Sequence, residues 1–117
     1  MTNLWKETIS ELTIHGKSFD DVKYIQGSDF GITKENFEQL ARNTVYDSGY
    51  GTAEVAEDLV IVGDNWWIER GIFDGAEWWY YRKMPKQINE IKKVNHLAGG
   101  IGTGDTLAEL NETEVDE

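Results

Sequence analysis

Any reaction run by this chain would have to use carboxylates and imidazoles, because its 117 residues include 22 acids and two histidines but no cysteine. His15 stands just before Gly16, at the end of an apolar-periodic run. An imidazolium there would suit the negative end of a helix dipole. His96 lies in the C-terminal part, and neither histidine has a sequence neighbour that completes a catalytic pair or a zinc site. The acidic pairs Asp20–Asp21 and Glu57–Asp58, and the Asp105–Glu117 stretch, could attract a hard cation. A calcium loop needs alternating oxygen ligands around a glycine and a closing bidentate Glu, and no stretch has that spacing. Two carboxylates can run hydrolytic acid–base chemistry when a cleft joins them, but the spacing brings no two together. "GGIGTG", residues 99–104, satisfies part of a dinucleotide fingerprint. That motif needs a strand before the glycines and a helix start after them to receive pyrophosphate. Here basic residues precede it and acids follow, so it reads as a linker. The expectation is a non-enzyme with no cofactor and no bound metal.

The chemistry that stands out is aromatic. "DNWWIERGIFDGAEWWYY", residues 64–81, holds four of the five tryptophans as two Trp-Trp pairs. Consecutive strand residues point to opposite sides, so each pair must send one indole each way. If Asp74–Gly75 is a two-residue turn, Gly71 falls opposite Trp78 and Arg70 opposite Trp79. One face then gathers Leu59, Ile61, Ile68, Ile72, Trp79 and Tyr81, and the other Val60, Val62, Trp67, Phe73, Trp78 and Tyr80. Arg70 is expected to stack structurally on Trp79 as a cation–π contact. Gly71 would leave room for Trp78 to lie across the strand.

The elements that position these residues can be read from periodicity. Leu4, Trp5, Ile9, Leu12 and Ile14 predict an amphipathic helix over 3–15, capped by Thr2 or Asn3 and ended by Gly16. "DVKYIQG" alternates as a short edge strand, followed by turn residues Gly27, Ser28, Asp29 and Gly31. Thr33 caps a second predicted helix, 34–43, with Phe37, Leu40 and Ala41 facing inward. A long loop follows, with a strand at Thr44–Tyr46. Strands at 57–63, 66–73 and 76–84, joined by "GDN" and "DG", form an antiparallel meander that Pro85 ends. The class is α+β, with N-terminal helices packed on a three- to four-stranded antiparallel meander over 1–86. Ile88, Ile91, Val94 and Leu97 predict a short helix within 87–98, and 99–117 reads as a flexible acidic tail.

Composition narrows the function. The formal charge is −11. Residues 1–81 carry six bases against 15 acids, 82–93 carry five bases against Glu90, and 105–117 carry six acids and no base. Such a surface repels phosphate, so direct nucleic-acid binding is not expected. "MTNLWKETISEL" has acids and a lysine where a signal peptide needs an apolar run. No stretch approaches the roughly 20 apolar residues that cross a bilayer. A soluble, cytoplasmic protein without membrane contact is expected.

The stretch "AEDLVIVGDNWWIERGIFDGAEWWYYRKMP", residues 56–85, resembles a segment of small uncharacterised proteins of phages and prophages from Gram-positive bacteria. The likeness rests on the W-x-E-R strand, the DG-x-EWW hairpin and the closing proline, and extends over about residues 1–86. That group has no established activity, so no functional residue carries over. The resemblance implies an accessory protein acting in the bacterial host cytoplasm.

Two apolar faces are one more than a half-buried meander needs. Trp67, Phe73, Trp78 and Tyr80 would present on the order of 600–1,000 Å² if all were exposed, beyond the 300–600 Å² that monomers usually tolerate. The 44–56 loop, the 87–97 helix, a second copy or another protein must cover the excess. The leading expectation is a non-catalytic protein-interaction module that engages a partner or itself through Trp67, Phe73, Trp78 and Tyr80. The alternatives are a small carboxylate-based hydrolase, a carbohydrate-binding protein, or an acidic DNA mimic that blocks a basic host protein. Replacing Trp67 or Trp78 by Ala is expected to lower partner binding or self-association more than the melting temperature. Sedimentation and thermal unfolding of the same samples check it, and stability loss without any change in association would mark both rings as ordinary core.

Overall fold

A computed structural model describes residues 1–49, 51–99 and 104–112. The chain divides into two compact units, Met1–Pro85 and Lys86–Glu117. In the first, a short strand β1 (Thr2–Asn3) leads into α1 (Leu4–Ile14). The Asn3 side chain accepts the Lys6 N–H at 3.0 Å and so satisfies one orphan donor of the first turn. Leu4, Thr8 and Leu12, spaced four apart, form the buried stripe of α1. Ile14, expected on that stripe, is 71% exposed because it sits about 200° beyond Leu12 around the helix. Gly16 ends the helix at φ +71°, a conformation in which a Cβ would be strained.

A single 3₁₀ turn (Phe19–Asp21) precedes β2 (Tyr24–Gln26) and β3 (Gly31–Ile32). Thr33 caps α2 (Lys34–Ala41), accepting the Asn36 N–H at 2.9 Å. Phe37 and Ala41 are buried, whereas Leu40 is 60% exposed, against the inward position expected for it. It lines a shallow groove between α2 and residues 54–59. Then come β4 (Val45–Tyr46), which pairs with β1, and the long strands of the meander: β5 (Val60–Val62), β6 (Trp66–Phe73) and β7 (Ala76–Lys83). The main sheet is five-stranded and wholly antiparallel, in the order β3-β2-β5-β6-β7. The fold is therefore α+β. The segment expected to be an edge strand lies inside the sheet, because the turn at 27–30 folds β3 back along its outer side.

The turns set the register. Asp74 and Gly75 both have positive φ, +51° and +86°. This is the primed hairpin geometry, whose twist matches that of the strands. Gly71 consequently faces Trp78, and Arg70 faces Trp79. On the inner face Ile25, Ile61, Ile68, Trp66 and Trp79 are buried. Thr8 links helix to sheet: its hydroxyl donates to the Leu4 carbonyl at 2.7 Å and accepts the Trp79 indole N–H at 3.0 Å. A buried threonine in α1 is thereby satisfied at both ends.

In the second unit, residues 87–98 form no helix. The apolar spacing is helical, but Ile88, Ile91 and Val94 are β-branched, and Ile88, Ile91 and Leu97 are exposed. A single helical turn, α3 (Leu107–Leu110), forms instead where Thr106 and Glu109 make a capping box. The linker expected at 99–104 and the tail expected at 99–117 fall partly outside the described residues, which omit 100–103 and 113–117.

At Gly63 a Cβ would lie 2.1 Å from the buried Trp66 ring. Gly63→Ala is expected to cost about 1–3 kcal/mol through overpacking, measured as a lower urea midpoint with unchanged slope.

Candidate functional site

Strands β6 and β7 carry two different assemblies on their two sides. The inner one is built around Arg70, whose side chain is fully buried. Its guanidinium carbon lies 4.6 Å from the centre of the Trp79 ring and 5.6 Å from that of Tyr46. One nitrogen donates to Glu77 at 2.9 Å and to the Tyr46 hydroxyl at 3.0 Å. The Tyr46 hydroxyl in turn donates to Glu7 at 2.5 Å. Among the described residues Nε and Nη1 find no hydrogen-bond partner, and Nη1 is 3.6 Å from the Glu7 carboxylate. The Arg70 charge is thus balanced by two carboxylates and lies against two rings.

Glu77 does a second task. Its carboxylate accepts the backbone N–H of Glu54 at 2.7 Å and of Val55 at 3.2 Å, fastening the β4–β5 connection to the inner face. Burial by itself would raise the Glu77 pKa. The Glu54 N–H, Arg70 and the Val55 N–H outweigh that and hold the carboxyl below its ordinary range. Tyr46 goes the other way: burial first, then its bond to Glu7, push the phenol up to about 12 against the pull of Arg70.

The outer assembly holds the four aromatic residues singled out from the sequence. Trp67, Phe73, Trp78 and Tyr80 all project from the face opposite the helices, alongside Val60, Val62 and Tyr24. They do not stand up equally. Phe73 is 74% exposed and Tyr80 43%, while Trp67 and Trp78 are half-buried. Gly71 is the reason: a Cβ there would lie 2.4 Å from the Tyr80 ring and 3.0 Å from Trp78, so both rings lean across the bare backbone. The Trp78 and Tyr80 ring centres are 5.7 Å apart. The expected space for Trp78 is therefore shared with Tyr80. Trp67 donates its indole N–H to Glu69 at 2.7 Å, and Glu69 holds a loose ion pair with Arg82 at 3.5 Å. The Arg82 guanidinium lies 4.7 Å from the Tyr80 ring centre. The face is a strip of rings with one paired carboxylate and one paired guanidinium in it.

Within the connection between β4 and β5, Glu54 and Val55 are tied to Glu77 on the inner side, away from this strip. Because the rings lie flat, the exposed aromatic area falls short of the extended estimate. Fractions of 150–250 Å² per ring leave roughly 200–470 Å², within the size of the largest patch that an ordinary monomer carries, a patch that is often functional.

Sequence reading left His15 without a partner. In the structure it lies 3.0 Å from Glu11, one turn earlier, and stacks on Tyr81 with ring centres 3.8 Å apart. The i, i+4 spacing of Glu11 and His15 was the available signal. The roles of Glu7 and Tyr46 had none, since they approach Arg70 from 63 and 24 residues away. The acidic pairs stay apart: Asp58 accepts the Ser28 N–H at 2.7 Å, and Asp21 closes a capping box with Ser18. Among the described residues no three acidic or histidine side chains are grouped to hold a metal ion. No helix among them is long and apolar enough to cross a membrane.

No protein-family model matches the chain, and neither a curated protein nor a solved structure matches it significantly.

Arg70→Met strands Glu77 in the interior and is expected to cost about 3–5 kcal/mol. Glu77 releases its proton more readily when folded than when unfolded, so the folded state binds fewer protons in the acid range. Its contribution is present above the unfolded carboxyl pKa of about 4.3 and is lost as pH falls below it. Urea titrations across acid pH should show that loss in the parent and a flatter profile in Glu77→Gln.

Proposed function

We propose that this protein is a non-catalytic interaction module that docks another protein on the outer face of its sheet, through Trp67, Phe73, Trp78 and Tyr80. The observation that carries the reading is the contrast between the two faces. On the inner side Trp66 and Trp79 are buried and Tyr81 packs against the same core, whereas Phe73 and Tyr80 stand exposed on the outer side beside Trp67 and Trp78. Flat, partly desolvated aromatic groups with an arginine among them are the composition of interface hot spots. The sheet beneath is held rigid by the Arg70–Glu77 anchor, so little conformational freedom is lost on docking.

The same reading takes the protein to be a phage or prophage accessory factor of the bacterial cytoplasm, on the strength of the W-x-E-R and DG-x-EWW resemblance. Phage genomes are rich in small acidic proteins that inhibit host enzymes, and by that analogy the docking strip is a surface for occupying a host protein.

Phe73→Ala and Tyr80→Ala remove exposed ring area and are expected to change unfolding free energy by less than about 1 kcal/mol. Each should abolish a specific partner band in pull-downs from bacterial lysate and leave the melting temperature nearly unchanged. Identical captured proteins for parent and both variants would reject the outer face as the docking site. A band lost steeply with salt from all three would favour an acidic mimic instead.

A further inference from the structure

We infer that the outer aromatic strip receives an arginine-bearing, cationic segment of its partner, with guanidinium groups laid on the Trp78 and Phe73 rings and Glu69 as their acceptor. This rests on the docking reading above and names the chemistry of the occupant.

Three observations converge on it. The strip already binds one guanidinium: Arg82 lies 4.7 Å from the Tyr80 ring and pairs with Glu69 at 3.5 Å. That contact shows which group the rings accept, since a planar guanidinium can stack on an aromatic face while keeping its edge donors free. Second, the rest of the strip has rings and acids without a cation. Outer-face positions 69, 71, 73, 76, 78 and 80 are Glu, Gly, Phe, Ala, Trp and Tyr, and Asp74 is exposed at the hairpin beside Phe73. Glu69 has acceptor capacity to spare, because one oxygen takes the Trp67 indole N–H and the other only the long contact to Arg82.

The third observation is charge. The whole chain carries −11 even with the five bases of 82–93, so a basic partner is drawn in and a second copy of this chain is disfavoured. Area agrees: roughly 200–470 Å² of exposed ring falls well short of the roughly 800 Å² per side of a standard stable interface, and it suits a short extended segment. A second copy of the chain is therefore the weaker occupant on both counts.

The test uses the full chain labelled with ¹⁵N, in which the indole N–H signals of Trp67 and Trp78 report on the strip. Octa-arginine, octa-lysine and a neutral octapeptide of alternating serine and leucine are titrated at about 150 mM salt, with sedimentation over the same concentrations. Octa-arginine should shift both indole signals and bind at least tenfold more tightly than octa-lysine. Trp78→Ala and the well-exposed Phe73→Ala should each weaken it at least tenfold, and Glu69→Gln severalfold, with melting temperatures followed alongside. Equal binding of octa-lysine, unmoved indole signals, or affinity unchanged in Phe73→Ala would overturn the inference, since attraction to the acidic surface as a whole would then explain any binding. Shifts caused by the neutral peptide or by dimerisation would overturn the arginine assignment and leave the docking face standing. The docking reading fails separately, when the pull-down bands survive loss of Phe73 and Tyr80.

Discussion

Strand β6 is joined to β7 by two residues, and the parity of that turn decides which side chains of Ala76–Lys83 share a face with which of Trp66–Phe73. Asp74 and Gly75 accept positive φ, so the strands close with Phe73 against Ala76 and each later pair follows. A slip of one residue in β7, with β6 held by β5, would carry Glu77 and Trp79 to the solvent face and Trp78 and Tyr80 into the core. The buried Arg70 would lose its partner Glu77, and the core would gain rings of the wrong shape. Few alternatives survive such a penalty, so the register is strongly specified.

The two faces then divide the work. The inner face is sealed by polar contacts as well as apolar ones: Trp79 to Thr8, Arg70 to Glu77 and Tyr46, and Glu77 to the backbone at 54–55. A buried ion pair is seldom a net source of stability, because desolvating both charges offsets their attraction. Its value here is geometric. It fastens the long connection, which has little regular structure of its own, to one place on the sheet. Among the described residues of 1–85 the outer face has no comparable buried anchor, and Gly71 lets Tyr80 and Trp78 lean across the backbone.

That flatness changes the functional argument. Counting aromatic residues in the sequence overstates the exposed area, because rings on adjacent positions of one face bury one another. What remains is too small for an extensive permanent dimer and large enough for a short segment. Charge sharpens the choice: an acidic body with aromatic groups and a lone carboxylate at its exposed strip matches a cationic visitor better than another copy of itself.

Alternation and turn chemistry are local, so the sequence by itself determined the α+β class, the helices near 4–14 and 34–41, the Asp74–Gly75 register, and the face on which each ring of β6 and β7 lies. Helical spacing alone did not suffice at 87–98, where β-branched and largely exposed residues left the segment without regular structure, nor at Ile14 and Leu40, which fell off the buried stripe. Only the tertiary structure could decide that Glu7 and Tyr46 surround Arg70, that Glu77 clamps the β4–β5 connection, that β2 lies inside the sheet, and how flat the outer rings lie. Each of these depends on groups far apart along the chain meeting in space. No local period encodes such a meeting; it follows from how the helices and the long connection fill the volume over the sheet.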